Sequence, residues 1–226
     1  MSRIARLFAA CLAVLAWVTL CLYVQVGLER RPHWTLWQEL WRTGRYFTFL
    51  TNVLTALTAT AVAFGWRVGA VWITGLTLWM VIVGVVYHTL LAREFSGLRW
   101  WTDQGLHTAV PVALLLWWAA FAPKAGLAWR HAALWLTWPG LYMAYALIRG
   151  EIDGRHPYFF LDPPLIGWPK VLMWIGVLGA VFWLAGLGAV MLGQRLSRVR
   201  GSPAGDGPAG PRPRSPRDRG QSRAGG

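Results

Sequence analysis

Charge is scarce in this chain. Only 14% of its 226 residues are Asp, Glu, Lys or Arg, against about 25% in a soluble domain. Hydrophobic residues reach 56% and mean hydropathy is +0.41, so lipid rather than water must solvate most of the surface. Cysteine is nearly absent. The two copies, Cys11 and Cys21, share one apolar run and stand about 15 Å apart along a helix. That is too far for a bridge, and a disulfide framework is excluded. Serine is missing from every apolar run, since Ser2, Ser96, Ser197, Ser202, Ser215 and Ser222 all lie outside them. A rhomboid-like serine site is therefore not expected. The His-Glu-x-x-His zinc motif is also absent, and no internal repeat is evident.

What the chain does have is six apolar runs, at about 7–27, 46–66, 68–92, 106–122, 132–148 and 171–192. Each has the length a helix needs to cross a bilayer. The expectation is an all-α, polytopic integral membrane protein with six transmembrane helices in residues 1–195. The first run is too long for a signal-peptide core and no small-residue cleavage site follows it, so it reads as a retained helix. Many of the 17 tryptophans flank the runs, among them Trp66, Trp72, Trp100, Trp101, Trp129 and Trp168. Indole rings favour the headgroup level, and these predict interfacial belts. Between the first two runs, residues 32–41 space their apolar side chains at three- and four-residue steps, as in a helix lying in the interface plane. A Trp-rich loop is the alternative.

The net charge of +13 resembles a nucleic-acid signal, but its distribution argues otherwise. From Arg195 onward eight Arg and two Asp account for much of it. Residues 196–226 are rich in Gly, Pro and Arg and predict a disordered tail. Such a tail beside a membrane touches anionic lipid; no nucleic-acid partner is expected. Six spans put both termini on one side. Lys and Arg number 13 on that side and 9 on the other, which places the termini in the cytoplasm.

Alternation of six helices sends the start of the second run, the end of the third, the start of the fourth and the loop before the sixth to one membrane face. That face collects Thr48, His88, Asp103, His107 and Asp162. Polar groups inside hydrocarbon are costly and mark functional sites. Thr48, Asn52 and Thr55 fall on one helical stripe, and Asn52 is the only asparagine in the chain. The stripe is either part of a site or glue between helices. Pro111 lacks the N–H that would bond the His107 carbonyl, so a kink is expected beside His107. With no buried serine, a buried hydroxyl nucleophile would be threonine, and histidine is the natural base. Asn52 or backbone N–H groups would hold the oxyanion. Competing uses are a metal site from Asp103, His107 and His88, or a haem held by His88 and His107. Asp103 is alternatively a helix cap. No cofactor and no metal are expected.

Three stretches carry a resemblance: Arg45-Tyr-Phe-Thr48-Phe, Gly105-Leu-His107-Thr-Ala-Val-Pro, and Pro157-Tyr-Phe-Phe-Leu-Asp162. In their order and spacing the chain resembles the six-helix androgen-induced membrane hydrolase family. It is more similar still to the bacterial relatives of that family, the Pr-six-Pr membrane proteins, through Val86-Tyr-His88 and the stretch from Phe121-Ala-Pro-Lys124 to Trp129-Arg-His131. The resemblance covers most of the chain up to about residue 195. It implies a bacterial plasma (inner) membrane protein. It also implies hydrolysis of lipid (fatty acid) esters by a threonine, placed on Thr48, and a histidine, placed on His107, with Thr51 the alternative threonine. The other reading is a non-catalytic membrane protein, such as a lipid or small-molecule carrier or a partner-binding subunit.

Overall fold

The computed structural model describes residues 2–201, which are helical with short connections and contain no strand. The expected tail lies outside the described residues beyond Gly201. Helix α1 (Arg3–Glu29) opens with the Ser2 hydroxyl accepting from the Ala5 N–H at 3.2 Å. Its buried stripe is mostly small: Ala5, Ala9, Ala13, Ala16 and Gly27. Small side chains let backbones approach closely, which is how helices associate in lipid. This stripe packs along α3 (Phe47–Ala63), the most extensive helix pairing of the fold.

Helix α2 (Leu36–Thr43) confirms a helix within the Trp-rich stretch. Thr35 and Gln38 form its capping box. Its outward face carries Leu36, Trp37 and Trp41, with Trp37 72% exposed, while Glu39 and Thr43 are fully buried. The amphipathic helix thus turns its apolar side away from the protein, the orientation a lipid interface rewards. Glu39 is admitted by Gly27 of α1, where any Cβ would collide with the carboxylate. Arg42 bonds both carboxylate oxygens and Arg31 lies 3.6 Å from one of them.

A bend of 104° separates α2 from α3. Helix α8 (Thr137–Asp153) holds this bend from several points along its length. Tyr142 and Tyr145 donate to the carbonyls of Arg45 and Gly44, and Asp153 accepts from Arg45 and Arg149. Helix α4 (Ala70–Val86) ends in a π-helical turn, Tyr87–Leu91. Helix α5 (Gly97–Gln104) runs through a second π turn, Gly105–Ala109, into α6 (Val110–Phe121). After short α7 (Arg130–Leu134) and α8 come a 3-10 turn, Phe159–Leu161, then α9 (Pro163–Ile166) and the long α10 (Trp168–Gly201). Helix α10 runs past the boundary expected at residue 195.

Four helical stretches are long and apolar enough to cross a membrane: Arg3–Glu29, Ala70–Leu91, Gly97–Phe121 and Trp168–Arg198. The bent α2–α3 pair makes a fifth if taken as one span. The fifth expected span, 132–148, falls on α7 and α8; α8 has 17 residues and carries Arg149, Glu151 and Asp153 toward its C-terminal end.

The tryptophans divide into two populations. Trp66, Trp72, Trp100, Trp101, Trp129 and Trp168 are exposed. Trp79, Trp117, Trp118 and Trp135 are buried, and each indole N–H finds an acceptor: Trp135 O, Ala5 O, Thr74 Oγ1 and Val71 O, at 2.9–3.0 Å. Buried indoles need such partners, and these tie helices distant in sequence.

Candidate functional site

The two stretches that carry Thr48 and His107 meet at the backbone. Asn52 is fully buried, and its amide nitrogen donates to the Thr48 carbonyl at 2.9 Å and to the Leu106 carbonyl at 3.2 Å. The only asparagine therefore pins α3 to the residue before His107. Both amide N–H groups are spent on those carbonyls, so the oxyanion role expected for Asn52 has no donor left. Its Oδ1 is buried without a partner among the described residues.

Thr48 is the second residue of α3 and faces an apolar cavity of about 60 Å³. Ile82 and Val83 of α4, Leu178 and Phe182 of α10, and Tyr142 of α8 wall it. Helix α3 has no side-chain cap of its own at Tyr46. Tyr158, from the segment between α8 and α10, fills that place: its hydroxyl accepts from the Phe47 N–H at 3.2 Å, and Thr48 is among the groups that act on the phenol. The residue as a whole is half-buried, but its phenol end lies inside, among Phe47, Thr48 and Tyr142. Burial pushes this phenol up to about 12, and bonds from Thr48, Tyr142 and the Phe47 backbone offset that only in part. Tyr158 is therefore a protonated donor at neutral pH. Sequence reasoning missed it and Tyr142, since nothing in a single chain aligns residue 158 with residue 48. The signal at hand was its place in the Pro157–Asp162 stretch.

Thr51 differs from Thr48. It is fully buried, donates to the Phe47 carbonyl at 2.8 Å and accepts from the Trp138 indole at 3.1 Å. Its hydroxyl is a structural link between α3 and α8.

His107 sits in the second π turn. Its Nδ1 lies 2.9 Å from the Asp103 carbonyl and 3.4 Å from Asp103 Oδ1. A carbonyl only accepts, so Nδ1 carries the proton and Nε2 is the basic nitrogen of the neutral ring. Asp103 thus orients His107. It lies within α5, not at its start, so it is not the helix cap that the sequence also allowed. The Tyr87 ring stacks on His107, with centroids 3.8 Å apart, and its hydroxyl donates to Asp103. Tyr87 also lines the Thr48 cavity. Tyr87 thus connects that cavity to His107, and among the described residues no hydrogen bond joins Thr48 to His107.

Pro111 acts as expected on the His107 carbonyl but not by a sharp kink. The helix widens into the π turn just before the proline and continues, and such turns recur at functional sites. The freed carbonyl faces Gly84 of α4, where a Cβ would lie 3.0 Å away.

The remaining candidates are elsewhere. His88 is exposed, and its Nε2 pairs with Thr108 Oγ1 at 2.9 Å, a hydroxyl–imidazole contact that sequence reasoning missed. Asp162 caps α9 through the Leu165 N–H and lies 3.6 Å from His156. Among the described residues no three histidine, cysteine or carboxylate side chains gather as metal ligands.

No protein-family model, curated protein or solved structure matches the chain.

Proposed function

We propose that this chain is a six-span integral membrane protein with both termini in the cytoplasm, and that it hydrolyses lipid esters at Thr48. The six-span count takes the α2–α3 pair and α8 as spans beside the four long helices. The observation that carries the reading is that Thr48 lines a largely apolar cavity whose wall includes Tyr87, and that the Tyr87 ring stacks on a histidine oriented by a carboxylate. That is the environment an acyl chain needs.

Thr48 Oγ attacks the ester carbonyl and gives its proton to His107 Nε2. Tyr158, the protonated donor nearest Thr48, steadies the oxyanion in place of Asn52. The leaving alkoxide takes the proton back from His107, and water then frees the acid from the acyl-threonine. His107 reaches Thr48 only when the Tyr87 ring swings off its face, so Tyr87 gates the reaction.

The test is hydrolysis of a long-chain aryl ester by the purified chain in micelles. Thr48→Ala should fall to background with its fold intact, and His107→Ala should lose about a hundredfold or more. Thr51→Ala should stay active. A wild type no faster than Thr48→Ala ends this reading. The second reading, a lipid carrier without chemistry, draws on the Tyr87 ring that covers His107 and on the absence of a hydrogen bond between Thr48 and His107 among the described residues. It predicts lipid bound and no ester cleaved.

A further inference from the structure

A second cavity, of about 130 Å³, lies between the end of α1, α2 and the start of α5. Four arginines line it: Arg30, Arg31, Arg42 and Arg99. Two carboxylates stand nearby, and both are engaged. Glu39 is held by Arg42 and Arg31. Asp103, which also lines the cavity, takes the Tyr87 hydroxyl and faces His107. Arg30 and Arg99 have no carboxylate partner among the described residues. Arg99 rests on the Phe95 ring at 3.7 Å; the like charges of Arg30 and Arg93 bear on it, and Asp103 offsets them in part.

Four guanidinium groups against two carboxylates leave cations in excess, and an anion in the cavity relieves their mutual repulsion. A planar fork of N–H donors matches phosphate oxygens two at a time. Val26 and Phe95 close the apolar side of the cavity. Arg42 joins it to α2, whose exposed Leu36, Trp37 and Trp41 suit the headgroup level. We propose that this cavity binds a phosphate group, carried by a lipid headgroup or free in solution, with Arg30 and Arg99 as its principal ligands. The site stands whether or not Thr48 is a nucleophile.

The test uses the full chain in neutral maltoside micelles and follows thermal unfolding by tryptophan fluorescence. Inorganic phosphate at constant ionic strength is one arm, and phosphatidic acid against phosphatidylcholine is the other. A rise in Tm with both phosphate and phosphatidic acid assigns the site to the phosphate itself. A rise with phosphatidic acid alone assigns it to a lipid headgroup. The R30Q/R99Q double variant should bind at least about tenfold more weakly, while Arg67→Gln, in the linker after α3, should bind as wild type. Phenylglyoxal labelling of the wild-type chain, mapped by mass, should find Arg30 and Arg99 protected by the effective probe. No rise in either arm, an unprotected Arg30 and Arg99, or an equal loss in Arg67→Gln would overturn the proposal.

Discussion

Two cavities flank Tyr87, and they solve the same problem in opposite ways. On the Thr48 side, polar groups are neutral and their donors mostly bond their own helix: Thr51 the Phe47 carbonyl, Thr55 the Thr51 carbonyl, Asn52 the Thr48 carbonyl, with only Asn52 Oδ1 left unpaired among the described residues. What remains is a hydroxyl facing apolar walls. On the arginine side, charges meet charges, and cations remain in surplus at the cavity wall. The difference follows from what surrounds each group: apolar walls on one side, other charges on the other. Neutral hydroxyls and an amide are tolerated in hydrocarbon when satisfied, whereas guanidinium groups need the interface. Tyr87 belongs to both sides, its ring lining the first cavity and its hydroxyl bonded to an acid of the second.

The contrast can be broken most severely on the charged side. Arg42→Ala leaves the fully buried Glu39 with only Arg31, at 3.6 Å. Unpairing a buried ion costs about 3 kcal/mol, so the variant should melt far below wild type in micelles. Restoring wild-type stability by adding Glu39→Gln would assign the loss to that charge. A single variant that melts as wild type would refute the pairing.

On the neutral side Asn52→Leu keeps volume and removes the bridge between α3 and the His107 turn. The expected loss is about 1.5 kcal/mol, since only uncharged bonds are surrendered. Hydrogen exchange should rise at both the start of α3 and Gly105–Ala109; a rise confined to α3 would mean the bridge does not couple them.

The smallest effect is the alkaline one. The Tyr158 phenol is raised from its ordinary value near 10 to about 12. The unfolded chain then ionises first, so the stability this group contributes is complete below pH 10 and lost as pH climbs toward 12. Tyr158→Phe should flatten that part of the pH–stability curve, and an unchanged slope would show that the phenol is solvated.

Much of this was legible in the chain. Long apolar runs forced helices, and the tryptophans at their ends are exposed as their chemistry requires. The Thr48 and His107 segments do meet, through Asn52 and the Leu106 carbonyl, as alternation of the runs led one to expect. Other features were not legible for definite reasons. Residues 97–104 look like a loop because they carry Arg99, Asp103 and Gln104, yet they continue the fourth helix outward past the apolar boundary. Pro111 signalled a disturbed helix, but whether the backbone breaks or widens depends on what receives the His107 carbonyl, and Gly84 lies on another helix. Tyr158 and Tyr87, which decide what Thr48 and His107 can touch, are assigned by packing that no spacing rule encodes. The inverted face of α2 reads correctly only once Gly27 is known to make room for Glu39.

Thr48 is proposed as a nucleophile facing an acyl cavity, with His107 as its base. The most direct test is reaction of the folded chain with a long-chain alkyl fluorophosphonate, followed by intact mass and peptide mapping. The account predicts one adduct, on Thr48, formed about a hundredfold more slowly in His107→Ala. An unlabelled wild type, or an adduct mapped to Thr108 beside His88, would contradict it.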